Sequence, residues 1–182
     1  MYNAVTRDVE AELLPCCRAL GMRFLAYNPL AGGLLTGRYA SFDALDADVT
    51  PDTRFGGAGG YGKGYGKMYQ DRFWKQSYFD AVEEVRATAA AAAAAAAATA
   101  GGEPAAGGVS LVEAALRWLY HHSALSGQAG DGVIIGGSRL SQVEANLAAV
   151  QQGPLQGMSS RKTLYFSLQF LSCVPSLSWQ IN

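Results

Sequence analysis

The chain has 182 residues, 49% of them apolar, and a formal net charge of −1; it is long enough for one domain with its own core, and its near-neutral balance excludes a nucleic-acid surface or a basic membrane patch. Its three cysteines, Cys16, Cys17 and Cys173, are an odd set with two adjacent, which makes neither a disulfide framework nor a Cys-x-x-Cys metal pair and fits a reducing, cytoplasmic setting. Residues 1–7 lack the apolar core of a secretory signal, and no apolar run approaches the length of a membrane span.

Residues 8–20 read as a helix, with Val9, Leu13, Cys16 or Cys17, and Leu20 on one face, acidic residues in its first turns, and Gly21 as its stop. Pro15 should kink or divide it. A short apolar run, Arg23 to Ala26, predicts a buried strand that ends in Tyr27, Asn28 and Pro29, followed by Gly32 and Gly33. Proline stops the strand and the glycines let the backbone approach a ligand closely, so main-chain N–H groups here suit a phosphate; an ordinary surface turn has the same composition. The stretch is neither GxGxxG nor a Walker A loop.

Residues 39–67 show no apolar period and are rich in glycine from Gly56 to Gly66, which reads as a long loop, either a ligand lid or a low-complexity insertion. From Met68 onward Phe73, Trp74, Tyr78, Phe79, Val82 and Val85 recur at helical intervals and predict one or two helices with aromatics facing the core. Ala89 to Ala98 is an unbroken alanine run that extends the helix without a face to hold it, and residues 87–108 read as a second insertion. Ser110 and Glu113 form a capping box for a helix through Leu116 and Leu119, ending in His121 and His122, which are expected to be solvated caps and not metal ligands. Val133-Ile134-Ile135 predicts a second buried strand, followed by Gly136-Gly137-Ser138 and a helix through Leu140, Val143, Asn146, Leu147 and Val150. A glycine-serine turn at a helix N-terminus is an anion site or a plain capped turn, with Ser138 and Arg139 facing the anion in the first case. The order of elements is α/β.

Three separated segments, Met1-Tyr2-Asn3-Ala4-Val5-Thr6-Arg7, Ala26-Tyr27-Asn28-Pro29-Leu30-Ala31-Gly32-Gly33-Leu34-Leu35-Thr36-Gly37 and Leu116-Arg117-Trp118-Leu119-Tyr120-His121-His122-Ser123, resemble the aldo-keto reductases, in particular the branch of aflatoxin-aldehyde and succinic-semialdehyde reductases. The resemblance covers residues 1–155, interrupted at 56–66 and 87–108; residues 156–182 read as an unrelated, poorly ordered tail. It implies part of a (β/α)8 barrel, strands seven and eight with their helices, from a family that reduces aldehydes and ketones with NADPH. By similarity Tyr27 stacks on the nicotinamide, Asn28, Pro29, Leu30, Ala31 and Gly32 line the pyrophosphate, and Arg38 lies nearby where relatives carry a lysine. Gly136, Ser138, Gln142 and Asn146 match the motif around the adenosine and its 2′-phosphate, with Arg139 adding charge. Tyr69 and Arg72 match substrate-contacting positions.

The resemblance also marks departures. The family's catalytic Asp, Tyr, Lys and His lie on the first four strands and have no counterpart here, so the general acid is missing and no catalytic residue is assigned. The expectation is a truncated reductase that retains part of its NADPH site, is inactive alone, and takes small carbonyl substrates only in its full-length form. The alternatives are a non-catalytic NADPH-binding module, one that associates with a full-length subunit, or a truncated product without function.

Overall fold

The computed structural model describes residues 1–44, 53–56, 65–100 and 108–155. Residues 57–64, most of the predicted glycine loop, and the expected tail 156–182 lie outside the described residues, as do 101–107 of the second insertion. The described architecture is α/β: helix α1 (Leu13–Ala19), strand β1 (Leu25–Ala26), helices α2 (Tyr65–Phe73), α3 (Gln76–Ala100) and α4 (Leu111–His121), strand β2 (Gly132–Val133) and helix α5 (Leu140–Gln151).

The strands pair in parallel, Leu25 with Gly132 and Ala26 with Val133. On the other edge of β1 the Tyr2 N–H donates to the Tyr27 carbonyl at 3.2 Å, so the first residues run beside it. Successive strand residues face opposite sides. Ala26 is buried toward the helices, whereas Leu25, Tyr27 and Ile134 lie on the other side and are 48%, 45% and 54% exposed. This corrects the expectation of two buried strands: the pattern of 23–26 and 133–135 is apolar on both faces, and only the helix-side face is covered.

The first helix is shorter than its acidic start implied. Asp8–Glu10 is a separate 3-10 turn, and α1 begins at Leu13. Pro15 therefore falls in the first turn of α1, where its missing N–H breaks no bond and produces no kink. Leu14 and Cys17 form its buried face, not Leu13 and Leu20. Cys16 is exposed, and neither Cys16 nor Cys17 is bridged.

The aromatic stretch after Met68 forms two helices. Phe73, Trp74, Tyr78, Phe79, Val82 and Val85 are all buried. Two residues from the supposedly featureless 39–67 segment join them. Tyr39 and Phe55 are core residues, each with its ring centroid within 5.2 Å of Trp74's in an edge-to-face contact, the arrangement aromatic quadrupoles favour. The Trp74 Nε1–H donates to the Phe42 carbonyl at 2.7 Å, and the Gln70 amide donates to that of Phe55 at 2.7 Å. Gly66, placed in the loop by its neighbours, is a buried residue of α2. The alanine run continues α3 to Ala100, and Ala89 still belongs to the core, so the predicted insertion starts inside a packed helix.

At the start of α4 the Ser110 hydroxyl accepts from the Glu113 N–H at 3.2 Å. The return half of the predicted box is not made. Glu113 instead accepts from Arg117 at 2.6 Å one turn on. Ser110→Ala is expected to cost about 1 kcal/mol, the usual value of a lost N-cap, measured as a shift in urea midpoint.

Candidate functional site

The parallel register fixes where the two glycine turns emerge. Because β1 and β2 run side by side in the same direction, residues 27–33 and 134–139 both leave from the carboxyl ends of adjacent strands. The Ile134 N–H donates to the Ala26 carbonyl at 2.8 Å and carries the ladder to the edge of both turns. In parallel sheets of α/β proteins this end is where ligands bind.

The first turn is held by an unusual backbone. Asn28 and Ala31 have φ of 55° and 51°, followed by Gly32 at 69° and Gly33 at 108°. Asparagine tolerates the left-handed region better than most residues, and alanine does so at a cost. Asn3, fully buried, sets the turn. Its Nδ2 donates to the Asn28 carbonyl at 2.9 Å while its Oδ1 accepts from the Val5 N–H at 3.1 Å. The Ala31 N–H closes the turn onto the same Asn28 carbonyl at 3.0 Å, across Pro29. Leu30 accepts from the Gly33 and Leu35 N–H groups at 2.9 and 3.2 Å. The Tyr27 ring stands at the mouth of the turn, exposed on the uncovered sheet face.

Gly32 is required by packing. A Cβ there would lie 2.7 Å from Cδ1 of Tyr69. Tyr69 is itself buried, stacked on Tyr65 and packed against Phe73, and its hydroxyl accepts from Arg54 at 2.9 Å. Tyr69 thus meets the first turn from behind through its ring. Arg72, three residues on, is exposed. Burial, and after it the charge of Arg72, lower the pKa of the Met1 amino group, and Met1 Sδ lies 3.7 Å from Asn28 Nδ2. Arg38 is exposed beyond the turn, its N–H bonded to Thr36 Oγ1 at 3.3 Å.

The second turn is open. Gly136, Ser138, Arg139 and Gln142 are all exposed. Gly137 packs tightly, since a Cβ would meet Val143 Cγ2 at 2.9 Å. Gln142 Oε1 accepts from both the Ser138 N–H and its hydroxyl, at 3.0 and 3.1 Å, so glutamine reaches back over the start of α5. Arg139 is the N-cap residue, and its side chain makes no cap bond. Asn146 is buried on the inner face of α5 with Ala149, whereas Leu140 and Leu147 are exposed. Among the described residues no group of three or more His, Cys, Asp or Glu could hold a metal ion, and no helix is long and apolar enough to cross a membrane.

Both turns are anchored from below by Asp131, which sequence reasoning did not single out. Its carboxylate accepts from the Phe24 N–H at 2.8 Å, the Ser126 N–H at 2.8 Å, and both Arg18 guanidinium nitrogens, Nη1 at 3.1 Å. One side chain thereby ties α1, the entry to β1 and the entry to β2. Burial alone would raise its pKa, but the bonds from Arg18, Ser126 and Phe24 outweigh burial and hold it below the ordinary carboxylate value. The available signal is a lone aspartate between Gly130 and Gly132, immediately before a predicted strand.

The sequence pattern described as Aldo/keto reductase family matches residues 1–161. The chain belongs to the aldo/keto reductase family. It is 48% identical over 156 residues to aflatoxin B1 aldehyde reductase member 2 of Rattus norvegicus, an alignment that covers 86% of this chain and 38% of that protein. To the human aldo-keto reductase family 7 member A3 it is 46% identical, covering 86% of this chain and 42% of the relative. To the aldo-keto reductase pigE of Monascus ruber it is 32% identical, with 85% and 40% covered. The chain therefore spans about two fifths of the length of these reductases. Members of the family are (β/α)8 barrels that act on small carbonyl compounds, and the α/β architecture with two parallel strands is consistent with that fold.

Proposed function

We propose that this chain is the cofactor-holding portion of an NADPH-dependent reductase of aldehydes and ketones, corresponding to strands seven and eight of the barrel, and that it does not turn over substrate by itself. The observation that carries the reading is the parallel pairing of Leu25 with Gly132 and Ala26 with Val133, which sends both glycine turns out from one end of the sheet. Barrels commonly build a phosphate site from the turns after these two strands.

The residues fit a dinucleotide phosphate. The start of α5 has no side-chain cap from its N-cap residue, and such an end favours an anion through its N–H groups and dipole. Arg139 beside it adds a positive charge for a 2′-phosphate, Ser138 offers a hydroxyl, and Gly136 keeps the approach clear. Gln142 would turn from Ser138 to the adenosine, and Asn146 would support it from the inner face. In the first turn the exposed Tyr27 ring would stack on the nicotinamide, and Asn28, Pro29, Leu30, Ala31 and Gly32 would line the pyrophosphate, with Arg38 at its far side. Tyr69 would shape the substrate end through its contact with Gly32, and Arg72 would attract a polar substrate group. Bound NADPH supplies the hydride; these residues bind and orient it. By the resemblance, the family's proton donor has no counterpart among these 182 residues, which is why no turnover is proposed. A cytoplasmic setting, argued from cysteine usage, belongs to the same proposal.

A second reading, association with a full-length reductase subunit, is favoured by the exposed sheet face of Leu25, Tyr27 and Ile134.

The test is an NADPH titration followed by protein fluorescence, beside an assay with an aromatic or dicarbonyl aldehyde. Saturable binding is expected. Arg139→Glu should weaken it by about tenfold, because a charge-assisted bond to phosphate, worth roughly 1–2 kcal/mol at an exposed site, is replaced by repulsion between like charges. Absence of NADPH binding defeats the cofactor reading, and measurable aldehyde-dependent oxidation defeats the claim of inactivity.

A further inference from the structure

The end of α4 and the residues after α5 form a device unrelated to the glycine turns. Arg117 and His122 together grip three consecutive residues. Arg117 donates from Nε to the Gly153 carbonyl at 2.8 Å and from Nη2 to the Pro154 carbonyl at 2.9 Å. His122 Nε2 accepts the Leu155 N–H at 2.9 Å. Leu155 is then buried and lines a small apolar cavity together with Val85, Thr88 and Ala89 of α3 and Ala114 and Trp118 of α4. Gly153, at φ 77°, makes the bend that brings Leu155 back toward α4.

His122 is buried and accepts a backbone N–H, which corrects the expectation of a solvated, positively charged cap. An imidazole can accept at Nε2 only when neutral, with its proton on Nδ1; the imidazolium presents a donor to the Leu155 donor. Around it α4 contributes His121 and Arg117, both of which disfavour the charged form after burial itself. The 153–155 strap presents only backbone, α5 presents the Val150 carbonyl to His121 at 3.3 Å, and α3 presents Val85, Thr88 and Ala89 on the cavity wall. Among the described residues no carboxylate offsets these influences on the ring.

We propose that His122 is a proton-released latch: in its neutral form it holds Leu155 in the groove between α3 and α4, and protonation frees Leu155 while Arg117 keeps its bonds to Gly153 and Pro154 and the rest of the fold stays closed. Because the native state prefers the neutral ring, the hold is complete above the unfolded histidine value of about 6.5 and is lost as pH falls toward the depressed native value.

The experiment is site-resolved amide exchange by NMR on the full chain, corrected for intrinsic rates, from about pH 7.5 to about pH 5, a span that brackets the free histidine value. Protection of the Leu155 amide is expected to be flat above about pH 6.5 and to fall by up to about tenfold per pH unit below it, while the Gly132 amide, bonded to the Phe24 carbonyl, keeps its protection. His122→Gln, which retains an acceptor but does not titrate, should hold Leu155 at every pH. The proposal is overturned if the wild-type Leu155 amide is unprotected at the high end, if its protection is flat with pH, if Gly132 loses protection in parallel, or if the glutamine variant shows the same decline.

Discussion

Asp131→Ala is expected to remove about 3–5 kcal/mol of stability, the range for breaking a buried ion pair from one side. Its carboxylate is almost wholly enclosed, at 1% side-chain exposure. Truncation would leave two main-chain N–H groups, of Phe24 and Ser126, without their acceptor, and Arg18 without its counter-ion. Each unsatisfied donor costs about 1–3 kcal/mol. Arg18→Ala should cost less, because the guanidinium is 32% exposed and the backbone bonds survive. Equilibrium urea unfolding of both variants checks the order; equal losses would mean that the ion pair and not the backbone clamp carries the effect. The pH dependence has a defined sign. Asp131 has a native pKa below its unfolded value, so its contribution is fully present above about 3.9 and is lost as pH falls through the depressed native value. The Asp131→Ala variant should therefore lose less stability on acidification than the wild type.

Gly32→Ala carries the second large effect, and here two costs add. A left-handed φ of 69° costs an L-residue about 1–2 kcal/mol. The new Cβ would also lie 2.7 and 2.9 Å from the ring carbons of buried Tyr69, and overpacking of this kind typically adds about 1–3 kcal/mol. Gly21→Ala is the control: its φ is 64° but nothing lies within 4 Å of the added carbon. The difference between the two variants in thermal or urea unfolding isolates the clash. If they are equally destabilised, Tyr69 does not press on the turn. A loss at Gly32 larger than at Gly21 ties α2 mechanically to the turn that bears Tyr27.

These two positions also show what a linear sequence reveals and what it hides. The strand–glycine–helix units are legible because each is a short apolar run, Arg23 to Ala26 or Val133 to Ile135, that ends in turn residues and is followed by glycines. The aromatic helices are legible because Phe73, Trp74, Tyr78 and Phe79 repeat at helical spacing. What is not legible depends on contacts between distant segments. Leu25 and Ile134 look like core residues in a linear pattern, and only the register of the sheet shows that they share an uncovered face. Tyr39 and Phe55 sit among glycines and polar residues with no period, yet Trp74 collects them into one cluster. His122 stands at a helix end, where the dipole argument is sound; the returning strap that buries it lies 33 residues away. Pro15 reads as a break only when the helix is started at its acidic residues instead of at Leu13. For the candidate site, the residues of both turns follow from motif resemblance, while Asn3 and Asp131 position those turns through contacts 25 and 107 residues away, with the glycines flanking Asp131 as the one local hint.

The sheet itself has a consequence for motion. Two strands of two residues each, joined by rungs such as Gly132 to Phe24 and Ile134 to Ala26, cannot be rigid through their ladder, since isolated strand pairs are marginal in water. Stiffness is lent to them from outside, by the Asp131 carboxylate at one end and the Asn3 amide at the other. The two ends are therefore tuned independently: loosening at Asn3 would let the Tyr27 ring wander while the strand entries stay fixed, and loosening at Asp131 would shift both strands together.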